Sequence, residues 1–134
     1  MKKVSPKQIK DAREILKIVK IVKDDTVSNE YRGYIASFGA SISQSGLVPS
    51  VAFFENKNAS SQKDRPKVMK AILLMINDKK NNYDTLLDYL LDRQVDNQNS
   101  LVSIQRKIKK SAIALKLAMN TFKKAEETSD ENTN

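Results

Sequence analysis

The chain has 134 residues, enough for one domain with a real core, and it contains no cysteine and no histidine. That excludes a disulfide framework, a thiolate nucleophile and Cys- or imidazole-based metal sites, and it removes the commonest general base. The net charge is +8, and only 3 Gly and 3 Pro interrupt a sequence rich in Leu, Ile, Lys and Ala. Such a composition predicts an all-α fold, a single-domain bundle of five or six helices over residues 1–126.

Ser5-Pro6 supplies an N-cap followed by proline at the first helical position, so a first helix is expected from there to about Lys23. Ile9, Ala12, Leu16 and Val19 form its main apolar stripe, widened by Ile15, Ile18, Ile21 and Val22. Asp24-Asp25-Thr26-Val27 breaks the pattern. Ser28 is placed to cap a second helix, with Glu30 in its first turn where the dipole favours an anion. Tyr31, Ile35, Phe38 and Ile42 then share one face. Gly46 can adopt the positive φ that ends a helix, and Pro49 fits the first turn of the next, which turns Leu47, Val51 and Phe54 inward. The segment Glu30 to Lys57 is therefore a helical corner with aromatic anchors on both arms.

Residues Asn58 to Arg65 read as a polar surface connector, or as a basic tip presenting Lys57, Lys63 and Arg65. Pro66 opens a helix to about Lys79, whose AILLMI segment is apolar on every side, as in a helix buried mid-bundle. A further helix, Tyr83 to Asp92, turns Tyr83, Leu86, Leu87, Leu90 and Leu91 inward and Asp84, Asp88 and Asp92 outward. Those three Asp lie on one helical face and cannot surround a hard cation, which needs oxygens converging from several directions. They read as a solvated or partner-facing edge. Asp96 to Ser100 reads as a linker, and a last helix is expected over Leu101 to Ala125. Its seam is Leu101, Ile104, Ile108, Ala112 or Ser111, Leu115, Met119 and Phe122. At about 100° per residue, Ile113 and Leu117 fall outside that seam, beside Lys110 and Lys124. Packing within the monomer is the default for such a pair, and a subunit contact is the alternative. Residues 127–134 form an acidic tail with no apolar residue, expected to be disordered.

Positive charge is concentrated at the two ends of the sequence. Eight basic residues lie between Lys2 and Lys23, and seven between Asn97 and Lys124, where there is no acid. In an antiparallel bundle the two helices can lie side by side and merge into one surface, either a pair of solvated faces or a polyanion-binding one. No Gly-rich phosphate loop, Ser–His–Asp set or metal-ligand spacing is present, so a non-catalytic protein with no cofactor is expected. Lysine-rich helices suit phosphate-backbone contact without base reading. The few aromatics sit in apolar stripes, which argues against a stacking platform, and the Val-Ala-Phe-Phe helix after Gly46 lacks the polar residues of a recognition helix. The longest apolar run, Ala71 to Ile76, is far below the roughly 20 residues of a membrane span, and MKKVSPKQ has no apolar export core. A cytoplasmic protein with no membrane partner is expected.

Several stretches carry a family resemblance. Tyr31-x6-Phe38, Ile42 before Ser45-Gly46-Leu47, then Val51-Ala52-Phe53-Phe54 and Lys57 resemble the signature of the small subunit of the type III-B (Cmr) CRISPR effector complex, its fifth Cmr protein. Ala12-Arg13 resembles that family's opening helix, and Ile113 to Glu127 its closing helix. The Leu-Pro pair usual before the corner is absent, with Phe38-Gly39-Ala40 near its place. The resemblance implies a CRISPR-associated subunit of antiviral defence that stacks with copies of itself in the minor filament. Its partners would be the backbone RAMP subunits, the large subunit, CRISPR RNA and target RNA. On that footing Lys17, Lys20, Arg106, Lys109, Lys110 and Lys116 are the expected RNA-binding residues, and Ile113 and Leu117 the expected subunit contact. The type III-A small subunit and a helical protein–protein adaptor unrelated to nucleic acid are the alternatives.

Overall fold

In the computed structural model, residues 4–56, 64–76, 83–96 and 98–125 are described. Six helices follow in order: α1 (Pro6–Ile18), α2 (Asn29–Ser45), α3 (Leu47–Phe54), α4 (Pro66–Ile76), α5 (Leu86–Asp96) and α6 (Gln98–Met119). Two short strands, β1 (Thr26–Val27) and β2 (Lys123–Lys124), pair in parallel. The expected all-α bundle is what forms. α4 and α6 occupy its middle: α6 packs on α1, α2, α4 and α5, and α4 touches every other helix.

The start of α1 follows from its sequence. Ser5 Oγ accepts the Gln8 backbone N–H at 3.2 Å, and Gln8 Oε1 accepts the Ser5 N–H at 2.9 Å. This reciprocal capping box satisfies two orphan helix donors. The end of α1 comes sooner than expected. The helix stops at Ile18, and Lys20 takes a left-handed conformation with φ of 65°. Its N–H bonds to the Lys17 carbonyl at 3.1 Å, and the Ile21 N–H bonds to the Leu16 carbonyl at 3.0 Å. That pairing is a Schellman closure, with lysine where glycine is the usual residue. Ile21 and Val22 are buried all the same, because the turn returns them to the core beside Leu16. Ile18 is exposed rather than part of a widened stripe. Two more left-handed residues, Asp24 and Asp25, turn the chain into β1.

The corner forms as expected. Tyr31, Ile35, Phe38 and Ile42 of α2 are buried, as are Leu47, Val51 and Phe54 of α3. Phe38 and Phe54 meet edge to face at 5.3 Å, and the Ser41 and Ser50 hydroxyls are 2.7 Å apart. Gly46 joins the helices at φ 93° and ψ 165°, a region open essentially only to glycine. Ser28 occupies the N-cap position of α2, but its hydroxyl makes no capping bond.

Further along, α4 buries Val68, Met69, Ala71, Ile72 and Leu73; its expected last turn, 77–79, lies outside the described residues. α5 starts later and ends later than the spacing suggested. Thr85 Oγ1 accepts the Asp88 N–H at 3.0 Å, fixing its start, and the expected linker 96–100 is largely helical. Leu91 is 48% exposed rather than inward, while Asp84, Asp88 and Asp92 are exposed as expected. The seam of α6 is buried from Ile104 to Phe122, but the helix ends at Met119. There Thr121 Oγ1 bonds the Ala118 carbonyl at 2.7 Å, and the Ala125 N–H reaches the Val27 carbonyl at 3.0 Å. The final segment is thus a strand rather than another helical turn. The expected acidic tail, 127–134, lies outside the described residues.

A candidate cationic interface on the last helix

The first and last helices do lie against each other, in the most extensive helix–helix contact of the fold. They run in the same sense. Gln8, near the start of α1, shares a groove with the middle of α6, whereas Arg13 and Lys17 stack over Phe122 just beyond the end of α6. The parallel β1–β2 pair closes the same end.

The groove has a volume of about 1010 Å³. Arg106, Lys107, Lys109 and Lys110 line it from α6, together with Ile113 and Leu117. Val4 and Gln8 close one side and Met75 and Ile76, at the end of α4, the other. Residues 106, 110, 113 and 117 are separated by 4, 3 and 4 positions, which aligns them on one strip of the helix surface. Lys109 and Lys116 flank the strip on one side. Ile113 and Leu117 are 52% and 42% exposed, so packing within the monomer, the default for this pair, is not what happens. The broad buried face of α6 is already filled by its seam and by Ala114 and Ala118. Lys124 is no neighbour of the pair, since it sits in β2.

Of the expected RNA-binding residues, Arg106, Lys109 and Lys110 come together in this groove. Lys116 is exposed about two turns beyond Lys109–Lys110 and is not part of the groove lining. Lys17 and Lys20 belong to the other end of α1. Lys17 lies 3.9 Å from Glu14 and 5.9 Å from the Phe122 ring centre, and Lys20 occupies the left-handed turn. Among the described residues, the only salt bridges are Lys7–Asp11 and Lys17–Glu14, so the α6 cations have no acidic partner there. No described residue of the chain pairs with and neutralises these cations.

Sequence reasoning missed Lys107 as a groove residue, and it missed Val4, Gln8, Met75 and Ile76, which reach the site only through the tertiary fold. It also missed Arg13, whose guanidinium lies 4.8 Å above the Phe122 ring, and Arg32, which donates to Asn120 Oδ1 at 2.8 Å and to the Phe122 carbonyl at 3.2 Å. Arg65, offered by its sequence as part of a basic loop tip, is instead only 7% exposed and stacked 4.5 Å over Phe53. It covers an aromatic surface rather than presenting charge. Lys57 and Lys63 lie outside the described residues.

Among the described residues, no three His, Cys, Asp or Glu side chains gather to hold a metal ion, and of the expected acidic row only Asp88 and Asp92 lie on α5, Asp84 preceding it. No helix among them is long and apolar enough to cross a membrane. The two perturbed groups serve the core: burial raises the Tyr31 hydroxyl and the Glu55 carboxyl above their ordinary values.

A family model described as CRISPR-associated protein (Cas_Cmr5) matches residues 7–125. The chain belongs to the Cmr5 family, a small subunit of type III-B Cmr complexes. Comparison with curated proteins and with solved structures gave no match. The type III-B assignment stands over the type III-A alternative. The family's role is structural, consistent with a helical Cmr5 chain built around a buried corner and a charged outer face.

Proposed function

We propose that this Cmr5 chain is a non-catalytic, cytoplasmic filament subunit that stacks with copies of itself. It would lie beside the backbone RAMP subunits and the large subunit of a type III-B effector and support guide and target RNA through basic helix faces. The observation that carries the reading is the exposed strip of α6, where Arg106, Lys109 and Lys110 border Ile113 and Leu117 without an acidic partner among the described residues. Unpaired cations along a helix suit a phosphate backbone, which gives affinity and salt dependence without sequence preference. Exposed aliphatic side chains within the same strip suit a protein neighbour. Lys116 extends the cationic strip, and Lys17 and Lys20 provide a second basic patch at the Phe122 end. Target cleavage and any further chemistry would belong to other subunits.

The test is binding of the isolated protein to single-stranded and duplex RNA across a salt series. Affinity that falls steeply with salt and ignores sequence is the expected result. Charge reversal at Lys17, Lys20, Arg106, Lys109, Lys110 and Lys116 should abolish it. If the reversed protein binds RNA and assembles as well as the parent, the reading fails.

A further inference from the structure

The exposed surface contains two patches whose chemistry is complementary. One is the α6 groove: Ile113 and Leu117 bordered by Arg106, Lys109 and Lys110. The other is the outer face of α5, where Leu91 is 48% exposed beside the exposed Asp88 and Asp92, with the exposed Asp84 just ahead of the helix start. On a helix, residues 88, 91 and 92 share one face, so the aliphatic side chain projects among carboxylates. Asp92 is held in place there by a hydrogen bond from the Tyr83 hydroxyl. Each patch is an apolar spot bordered by one sign of charge, and the signs are opposite.

We infer that the α5 face of one copy docks into the α6 groove of the next, head to tail. This rests on the reading that copies of the chain stack, and it assigns the surfaces and the polarity. The argument is electrostatic and geometric. Burying Leu91 against Ile113 and Leu117 removes three exposed aliphatic side chains from water, while the acidic face meets the cations that have no acidic partner among the described residues of their own chain. In a stack, the acidic face of one copy meets the groove of the next, and that one-way contact is heterologous. A docked pair retains one unused groove and one unused acidic face, at opposite ends of the stack, so the array grows as an open filament. The docking takes Arg106, Lys109 and Lys110 out of the RNA-facing set within a stack and leaves Lys116, Lys17 and Lys20, with the open groove of the end copy, for RNA.

The experiment is sedimentation velocity of the full chain across a concentration and salt series, without RNA. It uses three proteins: the parent, an acid-face variant (Asp84→Lys, Asp88→Lys) and a groove variant (Arg106→Glu, Lys110→Glu). Asp84, Asp88 and Arg106 are exposed and Lys110 is half-buried, and circular dichroism confirms that each variant folds. The parent should self-associate at low salt, and each variant alone should lose that association by about tenfold or more, because like charges then face each other. Mixing the two variants should restore association, since the native groove of one meets the native acidic face of the other. The surfaces left over, a lysine-bearing α5 face and a glutamate-bearing groove, are again opposite in charge, so the mixture can extend by alternation of the two variants while neither variant associates alone. A parent that stays monomeric at every concentration overturns the proposal, as does a mixture that fails to pair. Loss of RNA binding in the groove variant, with self-association intact, also overturns it and leaves the RNA reading standing. Association that behaves as described in a protein with no affinity for RNA upholds the docking and refutes the RNA role.

Discussion

The α2–α3 corner and the outer strip of α6 are built from similar aliphatic side chains, yet they do opposite work. In the corner every stripe residue from Tyr31 to Phe54 is enclosed, and two aromatic rings interlock across the turn. On α6, Ile113 and Leu117 remain in water among lysines and arginine. The difference lies in the neighbours. An apolar residue bordered by apolar residues specifies packing, whereas one bordered by like charges cannot be buried alone and awaits a partner that neutralises the rim. The corner thus carries stability, and the strip is left at the surface, where the proposed function places recognition.

That division is most easily broken at Phe38, which is fully buried against Phe54. Phe38→Ala should cost about 3–5 kcal/mol of unfolding free energy in a denaturant titration, through lost transfer and an unfilled cavity. A loss below 1 kcal/mol would show that the corner does not anchor the fold. Gly46→Ala comes next. The nearest atom to an added methyl is Pro49 Cδ at 3.8 Å, so space is no obstacle. The cost comes from φ of 93°, and about 1–3 kcal/mol is expected in the same titration.

Glu55 shows how the corner is tied to α5. Its carboxylate accepts the N–H groups of Leu86 and Leu87 at 3.0 and 3.3 Å, satisfying donors that the helix start leaves orphaned. Glu55→Ala removes both bonds and should cost about 1 kcal/mol. Burial raises the carboxyl above its ordinary value, against the two N–H groups, which favour the anion. The folded protein therefore holds this proton more tightly than the unfolded chain. The stabilisation from Glu55 is fully present below the ordinary carboxylate range and is lost as pH rises through the elevated folded value. A melting series across that window should show the decline in the parent and a flatter profile in Glu55→Gln. An opposite slope would mean that the N–H groups outweigh burial.

The corner was legible in sequence because a 3.6-residue apolar period, one glycine and one proline state it locally. The end of α1 was not. Lysine has no preference for the left-handed region, and only the burial of Ile21 and Val22 makes that turn worthwhile. A left-handed non-glycine residue costs about 1 kcal/mol, so Lys20→Gly should stabilise the protein by somewhat less than that, net of the added freedom of the unfolded chain. The two-residue strands were equally invisible: Thr26-Val27 and Lys123-Lys124 have no period to read, and their pairing depends on α1 and α6 running in the same sense. For the interface, the absence of acids between Asn97 and Lys124 announced the cationic side of α6, and helical spacing placed Ile113 and Leu117 on it. The groove itself was hidden, because its walls come from residues 4, 8, 75 and 76, whose meeting is a property of the whole bundle.

The smallest expected change in stability is the one that sharpens the contrast most. Replacing both Ile113 and Leu117 by Ser removes aliphatic surface that is about half exposed in the free chain, on a helix whose buried face is untouched. Substitutions of this kind away from core features lie within about 0.5 kcal/mol of neutral, and serine's lower helix propensity accounts for most of any loss. The melting temperature should therefore hardly move, while self-association measured by sedimentation should fall. A variant that melts several degrees lower would mean that the pair braces the groove against Val4 and Met75 inside the monomer. α6 would then be a second stabilising element like the corner, and the separation of packing from recognition would not hold.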